Sequence, residues 1–346
     1  MNAILGIIII AIGSFGQSSS YVPINKVKNW SWESFWLSQG IFAWLVFPFL
    51  GALLAVPGGH SLGEILSGGG NAAFKAMGYG VLWGIGGLTF GLSMRYLGVA
   101  LGQSIALGTC SAFGTLIPAM MAGTNLLEGK GLILLIAVCV AIAGIAIIGY
   151  AGSLRSKNMT EEQKRAAIKD FALSKGLLVA LLAGVMSACF AFGLNAGKPI
   201  DEMAFQLGAT KFFVSLPTTL MVTMGGFLTN AVYCIFQNIK NKTGKDYYSL
   251  PGKVLLNNFL FCALAGILWY SQFFGFGIGK SFFAEGSLIL AFSWSILMSL
   301  NVTFSNVWGI ILKEWKGVNQ KTMIVLVIGL VILIFSALGI NLFNVQ

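Results

Sequence analysis

Between Ala76 and Leu127 the chain carries a single charge, Arg95. An ionised side chain in hydrocarbon costs about 3 kcal/mol on insertion scales, and an apolar run of this length has no place on the surface of a soluble fold. Ten apolar segments recur along the 346 residues, near 3–22, 35–57, 76–94, 97–120, 131–151, 175–196, 212–236, 254–278, 286–311 and 322–343. Each approaches or exceeds the roughly 20 apolar residues that cross a bilayer as a helix. The expected fold is therefore an all-α polytopic membrane protein with ten transmembrane helices. Charged residues make up only 9% of the chain, against about 25% in an ordinary soluble domain, so little chain remains for a soluble domain.

The first segment is expected to stay in the mature protein. A cleaved signal needs cations ahead of its apolar core, whereas the first cation here, Lys26, follows the core. Cys110, Cys139, Cys189, Cys234 and Cys262 all fall inside apolar segments without a C-x-x-C pair, which suits packing residues rather than a disulfide framework. The net charge of +10 has no soluble basic face on which to present itself, so a bilayer, and not a nucleic acid, is the expected partner. No oligomeric state follows from the sequence.

Cytoplasmic loops of membrane proteins are enriched in Lys and Arg. Sixteen of the 21 cations lie in loops after odd-numbered segments, and the other five are Lys75, Lys130, Lys198, Lys211 and Lys280. This bias is expected to place both termini outside the cytoplasm. Arg95 then marks a tight cytoplasmic hairpin between segments three and four, with its head reaching the interface. A topology anchor and a gate residue are both open to it.

The polar stretch "AGSLRSKNMTEEQKRAAIKDFALSK" divides five segments from five, giving a first half over 1–151, a cytoplasmic linker over 152–174 and a second half over 175–346. Thr160 to Gln163 within it fits a capping box. "LWGIGGLTFG" (82–91) and "LWYSQFFGFG" (268–277) share Leu-Trp and Phe-Gly at the same spacing, and a cation follows each, Arg95 or Lys280. Because five is odd, the second half must enter the membrane in the opposite sense, which is the inverted-repeat plan of secondary transporters. Gly80, Gly84, Gly87 and Gly91 fall on one helical face and are expected to admit a close neighbour.

Polar and aromatic residues inside the segments are the candidates for a ligand site. Gln17 shares a face with Ser14, Ser18 and Tyr21, and Gln103 with Leu107, Cys110 and Gly114. Asn195 and Lys198 precede Pro199 at i, i+3; Trp269, Tyr270 and Gln272 lie in segment eight, and Trp294 and Asn301 in segment nine. Amides bridge hydroxyl groups and indole faces stack on C–H surfaces. Gln17, Trp83, Gln103, Asn195, Trp269, Gln272, Trp294 and Asn301 are thus the expected contacts for a neutral polyhydroxylated ligand. Helix–helix hydrogen bonding by the amides and interfacial anchoring by the tryptophans are the competing uses.

All eleven acidic residues lie at segment ends or in loops, whereas a proton-coupled carrier ordinarily buries a titrating group on its pathway. Glu285 is the first candidate, followed by Glu33, Asp201 and Glu202; Glu285, Glu33, Arg95 and Lys198 are the expected coupling or gating residues. His60 and Glu64 share a Gly-rich loop but lack the further ligands a metal site needs, so neither a metal nor a cofactor is expected. No phosphate-binding loop of the G-x-x-x-x-G-K-[ST] type occurs. A membrane enzyme would want paired carboxylates or a His–Asp set at one interface, and no enzyme is expected.

The stretches "YVPINKVKNWSWESFW", "LWGIGGLTFGLSMRYLGVALG", "NAGKPI", "LWYSQFF" and "LKEW" resemble, in order and spacing, the bacterial L-rhamnose/proton symporter family, usually placed in the drug/metabolite transporter superfamily. The resemblance implies two inverted five-helix repeats and import of L-rhamnose, or a closely related deoxy sugar, together with a proton. It also implies a cavity enclosed by segments one, three, four, six, eight and nine. A facilitator or exporter of another small polar metabolite is the alternative, kept open by the missing mid-segment acid.

Overall fold

The computed structural model describes residues 2–97, 99–157, 173–313 and 315–339, and their regular structure is helical throughout. In chain order the elements are α1 (Ala3–Ser19), α2 (Tyr21–Ile24), α3 (Trp32–Gly40), a π-helical turn (Ile41–Val46), α4 (Phe47–Leu53), α5 (Leu62–Gly68), α6 (Ala72–Leu97) and α7 (Val99–Met121). There follow α8 (Gly129–Lys157), α9 (Leu173–Ala196), α10 (Lys198–Gln206), α11 (Leu216–Asn241), a 3-10 turn (Gly244–Tyr247), α12 (Gly252–Lys280), α13 (Leu288–Ile311) and α14 (Gln320–Gly339).

Among the described residues, eight stretches are long and apolar enough to cross a membrane: Trp32–Leu53, Ser104–Met121, Gly129–Arg155, Ser174–Gln206, Leu216–Asn241, Gly252–Lys280, Leu288–Ile311 and Gln320–Gly339. The shorter apolar helix α1 spans 17 residues, and α6, with 26 residues, has the length of a span. Within the described residues, each of the ten apolar segments thus falls on a helix. Large side chains such as Leu178 and Ile239 stand more than two-thirds exposed (70% and 73%), an arrangement that a lipid solvent accommodates and water does not.

Several helix ends differ from expectation for local reasons. The second stretch begins at Trp32 because Ser31 caps it, its hydroxyl accepting from Ser34 N–H; such a cap satisfies one of the orphan donors of the first turn. Two short helices were not expected. Ser61 caps α5 by accepting from Glu64 N–H, and Pro199 sits in the first turn of α10, where a missing N–H costs nothing. Helix α8 runs on to Lys157, into the polar stretch, while Thr160 to Gln163 lie outside the described residues.

The chain forms two compact units, one of residues 1–7, 85–191 and 282–346, the other of residues 8–84 and 192–281. In the first, α8 packs on α7 and α14, and α13 on α7. Ile145, Ile148, Val302, Leu326 and Leu333 pack together in its core. In the second, α11 lies against α3, the π turn and α4, and α12 packs on α3 and the π turn.

The glycine stripe of α6 behaves differently along its length. Gly80 meets the Val222 carbonyl of α11 directly, and Gly84 meets Thr229, whereas Gly87 and Gly91 have open space where a Cβ would stand. The close approach is therefore confined to the first two glycines. Of the cysteines, Cys110, Cys189, Cys234 and Cys262 are buried and Cys139 is exposed.

Candidate functional site

The second unit gathers tryptophans from four elements, α3, the π turn, α6 and α12. Pro48 cannot donate a backbone hydrogen bond, and its ring crowds the preceding turn; the helix widens over Ile41–Val46, and Phe47 N–H bonds back to Phe42 O. Single π turns of this kind recur at functional sites. The widened turn carries Trp44 into the interior of the unit, where its ring occupies the space a Cβ on Gly40 would fill.

Trp44 there meets Trp83 of α6 edge-on at 6.0 Å and Trp269 of α12 at 5.7 Å. Trp83 and Trp269 face one another at 5.8 Å with 37° between their planes. Phe273 closes on Trp269 at 5.3 Å, and Trp36 on Trp44 at 5.6 Å. Trp83 sits against Gly226 of α11, where any side chain would collide with its ring. Aromatic pairs of this geometry contribute about 0.5–1.5 kcal/mol each beyond area burial.

Polar groups surround these rings. Trp36 Nε1–H donates to Asn230 Oδ1 (3.0 Å), whose amide donates to Gly226 O (2.8 Å). Gln272 is buried and donates to Trp269 O (3.1 Å). Among the described residues, Trp44 Nε1, Tyr270 Oη and Gln39 Oε1 are buried without a hydrogen-bond partner. Such groups cost about 1–3 kcal/mol each; Trp44 Nε1 belongs to the indole cluster, and Tyr270 Oη lies where a Cβ on Gly51 of α4 would stand.

The remaining expected contacts are dispersed. Gln17 is half-buried, its Oε1 accepting from the Ser18 hydroxyl (3.3 Å), and Asn195 is half-buried near the end of α9. In the first unit, Trp294 stacks on Phe190 (5.9 Å, 18°) and donates to Cys110 O (3.3 Å), and Ser295 bonds Ser111 and Thr115 at 2.8 Å each. Asn301 is half-buried on the same helix. The side chains of Gln103 and Arg95 lie outside the described residues.

Glu33 is only 6% exposed. Its Oε1 accepts from Asn241 Nδ2 (2.9 Å) and Thr243 Oγ1 (2.8 Å). Asn238 bonds Ser34 (2.9 Å) and Thr243 (2.8 Å) and accepts from the Tyr247 hydroxyl (3.0 Å). Asp246 accepts from Ser31 N–H, and its carbonyl from Trp30 Nε1–H, at 2.8 Å each. The start of α3 is thereby latched to the end of α11 and the turn beyond it, and the carboxylate stands at a helix N-terminus, where negative charge is favoured. Burial pushes the Tyr247 phenol above its ordinary range, against the pull of its Ser34 hydrogen bond. Glu285 is exposed in the turn before α13, and Lys198 is exposed at the start of α10. His60 Nδ1 pairs with Glu64 Oε2 at 3.0 Å in an exposed turn.

Trp36, Trp44, Phe273 and Asn230 were missed by the sequence reading. The signal for Trp44 is a tryptophan four residues before Pro48 in an uncharged, wholly apolar run.

Apolar helices of spanning length, enclosing an indole cluster, define a multi-pass membrane protein. Residues 1–344 match the model of the L-rhamnose-proton symport protein family (RhaT), and the chain belongs to that family. It is similar to the L-rhamnose-proton symporters of Yersinia pestis (strain Pestoides F) and Yersinia pseudotuberculosis serotype O:1b (strain IP 31758), at 35% identity over 345 residues, covering 96% of this chain and 96% of each relative. The family and these relatives are transporters, not enzymes.

Proposed function

We propose that this chain imports L-rhamnose, or a closely related deoxy sugar, together with protons by alternating access. The observation that carries the reading is the likeness, over nearly the whole chain, to L-rhamnose-proton symporters. Within the site, Trp44, Trp83 and Trp269 offer apolar ring faces to the C–H surface and methyl group of a 6-deoxy sugar. Trp44 Nε1–H, Tyr270 Oη and Gln272 are the polar partners proposed for its hydroxyls. Gln17 and Asn195 in the second unit, and Gln103, Trp294 and Asn301 in the first, are proposed as further sugar contacts, and Glu285, Glu33, Arg95 and Lys198 as coupling or gating residues.

The proposed architecture is ten spans in two inverted five-helix repeats, 1–151 and 175–346, joined by a linker over 152–174, within the drug/metabolite transporter superfamily. It is supported by ten apolar segments that are all helical and by the echo that sets Trp83 and Trp269 at equivalent places. The Lys and Arg bias supports an inner-membrane location with both termini periplasmic.

Uptake of labelled L-rhamnose into proteoliposomes, with and without an imposed proton gradient and with external pH recorded, tests the reading. Uphill uptake with matching alkalinisation is expected. Uptake that only equilibrates would make the protein a facilitator, and no uptake by folded protein would remove the sugar assignment.

A further inference from the structure

The acidic residue best placed to take a proton in the second unit is Asp201, in the first turn of α10. Its Oδ1 lies 2.6 Å from Thr218 Oγ1, on the first turn of α11. The same hydroxyl lies 3.0 Å from the carbonyl oxygen of Gly197, the residue between α9 and α10. Thr218 is fully buried, and its side chain fills the space where a Cβ on Gly197 would stand.

A hydroxyl carries one hydrogen, so Thr218 cannot donate to both acceptors at once. While Asp201 is ionised, the charge-assisted bond to the carboxylate is the stronger and takes the proton. When Asp201 is protonated on Oδ1, its own O–H donates to Thr218 Oγ1, and the threonine hydrogen turns to Gly197 O. That carbonyl already accepts from Ile200 N–H (2.9 Å) and Asp201 N–H (3.3 Å), so protonation adds a bond at the joint between two helices.

The charges around Asp201 suit a group that changes state. Lys280 at the end of α12 and Lys198 attract its carboxylate, and the neighbouring Glu202 repels it. Among the described residues no cation lies within 4 Å of it, and Lys280 Nζ instead stands 4.8 Å from the Phe276 ring centre. Helix α10 packs on α5 and α11. From α5 the titratable group is Glu64, engaged with His60; from the first turn of α11 the facing group is Thr218. Helix α12 also carries Trp269, eleven residues before Lys280, about three turns away. One rigid element thus joins the charge cluster to the indole cluster.

We propose that Asp201 carries the coupled proton and that Thr218 relays its protonation state to the α9–α10 joint. The inference rests on the sugar–proton symport reading above. A proton from the outer water binds the Asp201 carboxylate, the hydrogen bond to Thr218 reverses, and the proton leaves to the cytoplasmic side after the site has changed its exposure. No other bond is made or broken.

The test uses the full chain in proteoliposomes with three readouts: L-rhamnose-evoked proton uptake, accumulation under a gradient of one pH unit, and counterflow exchange at equal pH. One proton per sugar sustains about tenfold accumulation in that gradient. Asp201→Asn is expected to lose the evoked proton uptake and to equilibrate only, while exchange stays within about threefold of wild type, a shift of under about 1 kcal/mol. Thr218→Val, which removes the donor to the ionised form, is expected to move the pH midpoint of uptake upward, and Thr218→Ser to leave it in place. Accumulation by Asp201→Asn at the wild-type ratio overturns the inference. So does an unmoved midpoint in Thr218→Val, or equal loss of exchange and accumulation in both Asp201→Asn and Asp201→Glu. Absence of L-rhamnose-evoked proton uptake in the wild type would instead mark failure of the symport reading itself.

Discussion

The indole rings of Trp83 and Trp269 lie 5.8 Å apart, centre to centre, within one compact unit. They are separated by 186 positions in the chain, yet each is the tryptophan of a Leu-Trp pair that opens one of the two echoed segments. On the proposed inverted-repeat plan equivalent residues meet near a pseudo-two-fold axis, and this pair is proposed as one such meeting.

Trp269→Ala is expected to raise the KM for L-rhamnose by about tenfold, equivalent to about 1.4 kcal/mol, with membrane insertion intact. Trp83→Ala should behave alike, and Trp269→Phe should recover much of the loss because a ring face remains. Initial-rate uptake at varied sugar concentration, alongside surface-labelling of the inserted protein, makes the measurement. An unchanged KM in both alanine variants removes the pair from the pocket.

Trp44 permits a sharper comparison. Its Nε1–H has no partner among the described residues, so Trp44→Phe keeps most of the ring and removes no hydrogen bond within the protein. Thermal stability in detergent should hold or rise. If that N–H serves a sugar hydroxyl, affinity should fall by the worth of one hydrogen bond, about 0.5–1.5 kcal/mol. Sugar binding followed by tryptophan fluorescence separates the two effects, and unchanged affinity would assign Trp44 to packing alone.

Helix contacts give a third expectation, concerned with folding. Gly80 touches the Val222 carbonyl, while Gly87 faces open space. Gly80→Leu should therefore lower the melting temperature or the folded yield, overpacking costing about 1–3 kcal/mol, and Gly87→Leu should be tolerated. Fluorescence size-exclusion profiles after graded heating report both, and equal tolerance would show that α6 and α11 can part at little cost.

The spans were legible because lipid imposes one strong rule, that a long apolar run must be a helix. Trp83 and Trp269 were legible from their echo. Trp44 was not: whether a tryptophan in an apolar segment faces lipid or protein depends on helix phase, and the π turn before Pro48 resets that phase. The Glu33 latch was hidden for a different reason. Its partners Asn238, Asn241 and Thr243 lie more than 200 positions away, in a stretch that reads as an ordinary polar loop. Asp201 was visible as an acid near a segment end, but its bond to Thr218 depends on how two short helical turns meet.

Glu33 tests whether that latch holds the structure or also gates it. Its Oε1 receives two hydrogen bonds, and Glu33→Gln keeps an oxygen in that place while removing the charge. Glu33→Ala empties a buried side-chain position and takes the acceptor from the half-buried Thr243 hydroxyl and the exposed Asn241 amide, and should lower the melting temperature. Glu33→Gln should hold the melting temperature near wild type. If the carboxylate gates the cytoplasmic mouth, Glu33→Gln should slow exchange and accumulation by the same factor, because opening limits both. That equality distinguishes it from Asp201→Asn, where accumulation falls and exchange persists. Normal rates in a stable Glu33→Gln protein would leave Glu33 as a latch only.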